Sequence, residues 1–306
     1  MSMGTGAAAA ALGDLYATYQ STIGYVGINA LLALSVYTTL ASGQLALGGA
    51  GFMALGAYAA ALSTMNAGLP FPLALVAAAA LPAAVALPLG LPVLRLRGVF
   101  LAIATIGFGE VVRLFFVNWD LVGGAQGIVA IPQKASVGLI GLCLTLALLG
   151  LGRLRGSKWG FALEAIREDE AAARTLGIDT TAYKLSMLVL GAALAGLAGG
   201  LEAHFTFMVA PNGFSFERVV DMLVFAVVGG SRTFWGPAVG AAFLTLLPEL
   251  LRELAPWIGL EPGPLRLMIN GLVLLAVILF LPNGLASLPA RARRWRRRPR
   301  RAREAA

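Results

Sequence analysis

The sequence predicts an all-α fold: a polytopic transmembrane helical bundle of about 8–9 spans, with short or re-entrant helices and one short amphipathic helix on the cytoplasmic face. Three observations lead there. Charged residues make up only 12% of the 306, half of the roughly 25% usual in soluble domains. No Asp, Glu, Lys or Arg occurs from Leu15 to Leu94, and so long an uncharged run cannot supply both the surface and the core of a water-soluble domain. The charge that exists is gathered in two places, "EAIREDEAAARTLGID" at 164–179 and "RARRWRRRPRRAR" at 291–303.

A hydrocarbon core of ~30 Å needs roughly 20 apolar residues per helix. Spans are expected near 21–40, 45–63, 71–94, 98–117, 137–152, 185–204 and 265–281. Residues 218–251 form two short apolar arms around "GGSRTFWGP". The first, 219–229, is about 17 Å long at 1.5 Å per residue, which suits a tilted short helix or half of a re-entrant hairpin. Small residues recur at four-residue spacing, as Ala46, Ala50 and Ala54 and as Ala192, Gly196 and Gly200. In lipid, helices associate by close backbone approach, so both rows are expected to be helix–helix contact faces.

Lys and Arg set the orientation. Arg95, Arg97, the 153–184 loop and the C-terminal tail fall on one side, the cytoplasm, and the N-terminus falls outside. The external loops are then 64–70, 118–136, 205–217 and 252–264. The chain divides into a membrane domain over 1–290, with the 153–184 loop within it, and a basic cytoplasmic tail over 291–306. That tail holds nine arginines and accounts for the net charge of +8. It is expected to lie on anionic lipid headgroups with Trp295 at the interface, rather than on nucleic acid.

Several chemistries are excluded by composition. Cys143 and His204 are the sole residues of their kinds, which leaves no internal disulfide, no Cys- or His-rich metal site and no ready nucleophile–histidine pair. No Gly-rich loop ends in Gly-Lys-Ser/Thr, so the chain is not expected to bind ATP. It reads as a protein without a cofactor or metal and not as an enzyme.

The 153–184 loop is longer than a connection between spans requires. Gly177 is a natural stop for a helix from about Leu163 to Leu176, and Asp179 can cap the helix that follows. Leu163, Ile166 and Ala173 line one side of that short helix and charges occupy the rest. Two readings stand. One is a solvated connector; the other is a helix that fits a groove on a cytoplasmic partner, with apolar anchors and charges that set register.

Glu170-Ala171-Ala172, four residues and Gly177 resemble the Glu-Ala-Ala motif of ABC-importer permeases, in which three residues precede the glycine. "SGQLALGGAGFMALGAYAAAL" (42–62), "RLRGVFLAIATIGFGEVVRLFFVNWD" (95–120), "AIREDEAAARTLGIDTTAYKL" (165–185), "GGSRTFWGPAVGA" (229–241) and "LFLPNGL" (279–285) occur in order. Together they resemble the permease subunits of branched-chain amino-acid ABC importers, the LivM-type inner-membrane half. The resemblance implies a multi-pass subunit of the bacterial inner membrane. Its implied partners are a second homologous permease, two cytoplasmic ATPases and an extracytoplasmic substrate-binding protein. The family also serves urea and related small amides, so a branched-chain amino acid or another small amide or amino acid is the implied substrate. Leu163, Ile166, Arg167, Glu168, Asp169, Glu170, Ala171, Ala172, Arg174 and Gly177 are the implied ATPase-coupling residues.

Ser42, Gln44, Gly48, Gly49, Gly51 and Thr105 are candidates for the translocation pathway, with helix packing and capping as the alternative. Glu110 and Arg113 sit three apart on one helix face; they neutralise each other, line the pathway or meet the partner permease. The rival class is an ion-coupled secondary transporter, which would need an intramembrane carboxylate near broken helices. Glu110 is the one candidate for that role, and a cytoplasmic docking helix has no part in it.

Overall fold

A computed structural model describes residues 3–230, 233–258 and 271. Among these, ten α-helices account for nearly all regular structure: α1 (Met3–Ala41), α2 (Gly49–Met65), α3 (Phe71–Val93), α4 (Val99–Val117), α5 (Val137–Arg155), α6 (Lys158–Glu168), α7 (Glu170–Thr175), α8 (Thr180–Thr206), α9 (Phe216–Gly229) and α10 (Gly236–Ile258). The single β-type pairing among the described residues is an isolated bridge between Ile128 and Val209. Apart from Gly271, the expected span at 265–281 lies outside the described residues, as do the tail at 291–306 and Ser231–Arg232.

Among the described residues, five helices are long and apolar enough to cross a membrane: Tyr19–Ala41 of α1, then α3, α4, α5 and α8. Helix α2, at 17 residues, is a shorter apolar helix. The chain is therefore a helical membrane bundle. Its architecture turns on α8, which packs against α1, α2 and α3. The small-residue rows make this close packing. A β-carbon on Gly56 would lie 2.2 Å from the Gly196 carbonyl oxygen, and one on Gly196 would lie 2.2 Å from that of Ala78. Ala50, Ala54, Ala192 and Ala195 are buried beside them. Three backbones thus meet where one methyl group would not fit, the arrangement lipid-embedded helices favour.

The outer faces of α3, α4 and α5 are different. Leu73, Val76, Phe100, Ile103, Leu142 and Leu146 are exposed on them, as side chains that meet hydrocarbon should be.

The 218–251 region departs from the expectation of two short arms. Helix α9 is short, with 14 residues, but α10 runs for 23. The charges at Glu249, Arg252 and Glu253 cut the apolar pattern without breaking the helix. The two helices form a tight antiparallel hairpin, because a β-carbon on Gly240 would fall 2.3 Å from the Phe225 carbonyl oxygen and one on Gly229 would fall 2.1 Å from that of Gly236. Asn29 of α1 ties the hairpin in by donating Nδ2 to Thr245 Oγ1 at 3.0 Å.

The loops collect at two ends. At one end the Ile128 and Val209 backbones exchange hydrogen bonds at 2.9 Å, and Thr64 Oγ1 meets His204 Nε2 at 3.0 Å. At the other end the 42–44 turn meets α6 and α8.

Candidate functional site

The charged stretch at 164–179 belongs to the second end, where it forms a helix pair rather than one helix. Ser157 opens α6, its Oγ accepting from the Trp159 N–H at 3.2 Å. Asp169 then breaks the helix: its backbone is extended, at φ −152° and ψ 105°. Its carboxylate accepts from the Ala171 and Ala172 N–H groups at 2.8 and 3.0 Å and so starts α7. The expected helix from about Leu163 to Leu176 is therefore corrected to two, α6 and α7. The cause is local, since an aspartate side chain that caps downstream donors competes with helix continuation. Gly177 ends α7 at φ +83°, a conformation that favours glycine. Asp179 caps α8, accepting from Thr181 and Ala182 N–H at 3.1 Å each.

Leu163, Ile166 and Ala173 are buried. They face the chain's own bundle, so they fasten the pair to the membrane domain instead of pointing at a partner. The exposed apolar side chains are others: Phe161 is 68% and Leu176 is 78% exposed. Phe161 stands two residues before Leu163, about 200° round the helix at 3.6 residues per turn. That offset was the signal in the sequence for an outward anchor, and the buried row masked it. Arg167, Glu168, Asp169, Ala171, Ala172, Arg174 and Gly177 are exposed on the same element.

Glu170 plays a different part. Its carboxylate accepts from Lys184 Nζ at 2.6 Å and from Arg174 Nη2 at 2.7 Å. Thr180 Oγ1 donates to it at 3.3 Å and accepts from Arg174 Nε at 2.8 Å. Burial pushes the Glu170 carboxyl up, but Lys184, Arg174 and Thr180 outweigh it and hold the group below the ordinary carboxylate range. The acid at the head of the motif therefore locks α7 onto the first turn of α8.

A second joint comes from the 42–44 turn. Gly43 has φ +74°, and a β-carbon there would lie 3.4 Å from Arg167 Cα. Gln44 donates Nε2 to Ser42 Oγ at 2.6 Å and to the Lys184 carbonyl at 2.9 Å. The helix pair thus rests on the end of α1 and on α8 together.

The pathway candidates are mostly engaged inside the chain. Ser42 donates to the Thr39 carbonyl. Thr105 is buried, accepts from the Leu47 N–H at 2.8 Å and donates to the Leu101 and Ala102 carbonyls. A β-carbon on Gly51 would lie 2.8 Å from Gly109 Cα, so this glycine is a packing contact between α2 and α4. Gly48 and Gly49 border a small cavity of about 20 Å³ that Ser35 and Thr39 also line. Glu110 and Arg113 pair with each other, Arg113 Nε donating to Glu110 Oε1 at 2.8 Å, and Arg113 Nη1 reaches Asn212 Oδ1 at 3.3 Å. The pair lies on a partly exposed face of α4.

A family model described as the permease component of the branched-chain amino acid transport system matches residues 18–278. The high-affinity branched-chain amino acid transport system permease protein LivM of Salmonella typhimurium is 35% identical over 295 residues, covering 85% of this chain and 66% of that protein. LivM of Escherichia coli is 34% identical over the same extent. A probable branched-chain amino acid transport permease protein LivH of Methanocaldococcus jannaschii is 29% identical over 133 residues, 43% of this chain and 42% of its own length. The chain thus spans just under two thirds of the LivM relatives it matches. No solved structure matches it.

Proposed function

This chain belongs to the family of branched-chain amino acid transport system permease components, and from that membership we propose that it forms half of the translocation pathway of an ABC importer for branched-chain amino acids. The other half is a second, homologous permease; two cytoplasmic ATPases drive the pair, and an extracytoplasmic binding protein delivers the substrate. Residues 1–290 form the membrane domain in about 8–9 spans, and 291–306 form a basic tail on anionic headgroups. The membrane is the bacterial inner membrane. Because Arg95, Arg97, Arg153, Lys158 and Lys184 share one end with the helix pair, that end faces the cytoplasm and the N-terminus lies outside.

The observation that carries this reading is the construction of α6 and α7. Their inner face is fastened by Leu163, Ile166 and the Glu170–Lys184 contact, while Phe161, Glu168, Ala171, Ala172 and Leu176 stand outward. A connector needs no rigid mount and no exposed Phe and Leu at the water-facing end. A lever needs both. An ATPase that closes on ATP pushes the outward face, and the joints to α8 and to the 42–44 turn pass that push to the bundle as a rigid-body movement. Hydrolysis takes place in the ATPases.

Proteoliposomes holding this chain, the second permease and the ATPases, supplied with loaded binding protein, should accumulate labelled leucine when ATP is present and no ion gradient exists. Uptake that survives omission of the ATPases and collapses with an ionophore would overturn the reading in favour of a secondary transporter.

A further inference from the structure

The exposed faces of the membrane helices are not alike. Helix α3, and α5 as far as Gly152, carry no Asp, Glu, Lys or Arg. Helices α4 and α9, which touch each other, do. The Glu110 side chain is 43% exposed even though it pairs with Arg113. Asp221 is exposed and makes no hydrogen bond or salt bridge among the described residues. Arg218, one turn before it, is taken by Glu202 at 2.6 Å. Glu217, one turn outward on the same side of α9, is exposed as well.

The packing sets the depth of these acids. Glu110 follows Gly109, which meets Gly51 of α2, and stands near the middle of the 19-residue α4. Arg218 reaches Glu202 near the outer end of α8, whereas Met222 packs over Gly49, two residues from Gly51. Asp221 lies between those two levels, about 4–5 Å inward of Arg218. Glu110 and Asp221 are therefore within the span, where a carboxylate facing lipid is costly and needs a polar partner.

We propose that the outer halves of α4 and α9 are the surface on which the second permease docks, and that the docking helix brings a Lys or Arg to the level of Glu110 and Asp221. Glu110, Glu217 and Asp221 against Arg113 leave the face acidic, so a cation is its complement. A second copy of this chain would set the same surplus of acid against itself, which repels. Val111, Leu114 and Val220 are exposed around the charges and supply the apolar contact. Phe100 and Ile103, about two to three turns nearer the inner end of α4, stay against hydrocarbon. The partner's identity rests on the importer reading; the covering of this face does not.

The test uses the two permeases and the ATPases purified together, with this chain in a Cys143→Ser background. Val220→Cys carrying a photoreactive group should cross-link to the second permease. Leu146→Cys, on the exposed face of α5, should give lipid adducts instead. Asp221→Lys should lower the amount of second permease recovered with this chain about ten-fold, and Asp221→Asn should lower it less. Replacing a membrane-embedded Lys or Arg of the second permease with Glu should restore assembly with the Asp221→Lys chain. That chain alone should keep the size-exclusion profile of the unsubstituted one; if it does not, the cross-links decide. Lipid adducts at Val220, or a Val220 cross-link between two copies of this chain, would overturn the proposal. Undiminished assembly of a folded Asp221→Lys chain would overturn it too. A Val220 cross-link to the second permease in a complex that takes up no leucine would keep the docking face and refute the importer reading.

Discussion

Lys184 donates its Nζ to Glu170 Oε2 at 2.6 Å, so the first turn of α8 holds the head of α7. Gln44 accepts no part of this contact but donates to the carbonyl of the same Lys184. One residue of α8 therefore receives both the helix pair and the turn after α1, and the movement of either is felt by the helix at the centre of the bundle.

Replacing Glu170 with Gln preserves its shape and removes its charge. The variant should insert and assemble, but ATP hydrolysis and leucine uptake should separate, with uptake per ATP falling about five-fold, as loss of a charged hydrogen bond worth about 1–3 kcal/mol implies. Lys184→Met should act the same way, and the double variant should be little worse than either alone. The readout is the ratio of transport to hydrolysis in proteoliposomes.

The same contact has a defined pH response. The Glu170 carboxyl is held below its ordinary value, so the stabilisation it gives is fully present above the ordinary carboxylate range and is lost as pH falls through the lowered value. The mount should therefore be unchanged between about pH 6 and 8 and should open only in acid. Spin labels at Thr175 and Thr181, in a Cys143→Ala background, should report a fixed distance across the neutral range and a longer, broader one below the carboxylate range.

Phe161 and Leu163 lie two residues apart and should fail differently. Phe161→Ala removes an exposed anchor, so it should weaken ATPase association by about 1–2 kcal/mol and leave the permease's melting temperature unaltered. Leu176→Ala should do likewise. Leu163→Ala opens a cavity under α6 and should cost about 2–5 kcal/mol of local stability, seen as faster proteolysis within 156–177 before any loss of binding. Co-purification and limited proteolysis separate the two classes.

Gly56 and Gly196 form one of the close crossings of α2 and α8. Gly196→Val should force those backbones apart and abolish the folded yield in detergent, whereas Gly141→Ala, in open space on α5, should be silent. Size-exclusion profiles of the two variants give the comparison.

Much of this was legible in the sequence because lipid imposes strict rules. An uncharged run of spans, small residues four apart and the segregation of Lys and Arg each have one good structural answer, and the α2–α8 crossing follows from them. The Asp169 break was harder to see, because Glu168-Asp169-Glu170 keeps helical charge spacing while only the backbone geometry shows which aspartate caps. The inner and outer apolar faces were also ambiguous in one dimension: Leu163 and Ile166 form a regular row, and regularity does not tell whether that row meets a partner or the chain itself. Ser42, Gln44 and Thr105 suit a pathway by type, while the Ser42 and Thr105 hydroxyls and the Gln44 amide donor make hydrogen bonds within the chain, through contacts as distant in sequence as Gln44 and Lys184.

The central claim, that the outward face of α6 and α7 receives the ATPases, is tested most directly by site-directed cross-linking. In a Cys143→Ser importer, a single cysteine at Ala172 carrying a photoreactive group should cross-link to an ATPase subunit, and one at Leu73, on the outer surface of α3, should not. A cross-link from Leu73, or from neither position while uptake of leucine proceeds at the normal rate, would contradict the account.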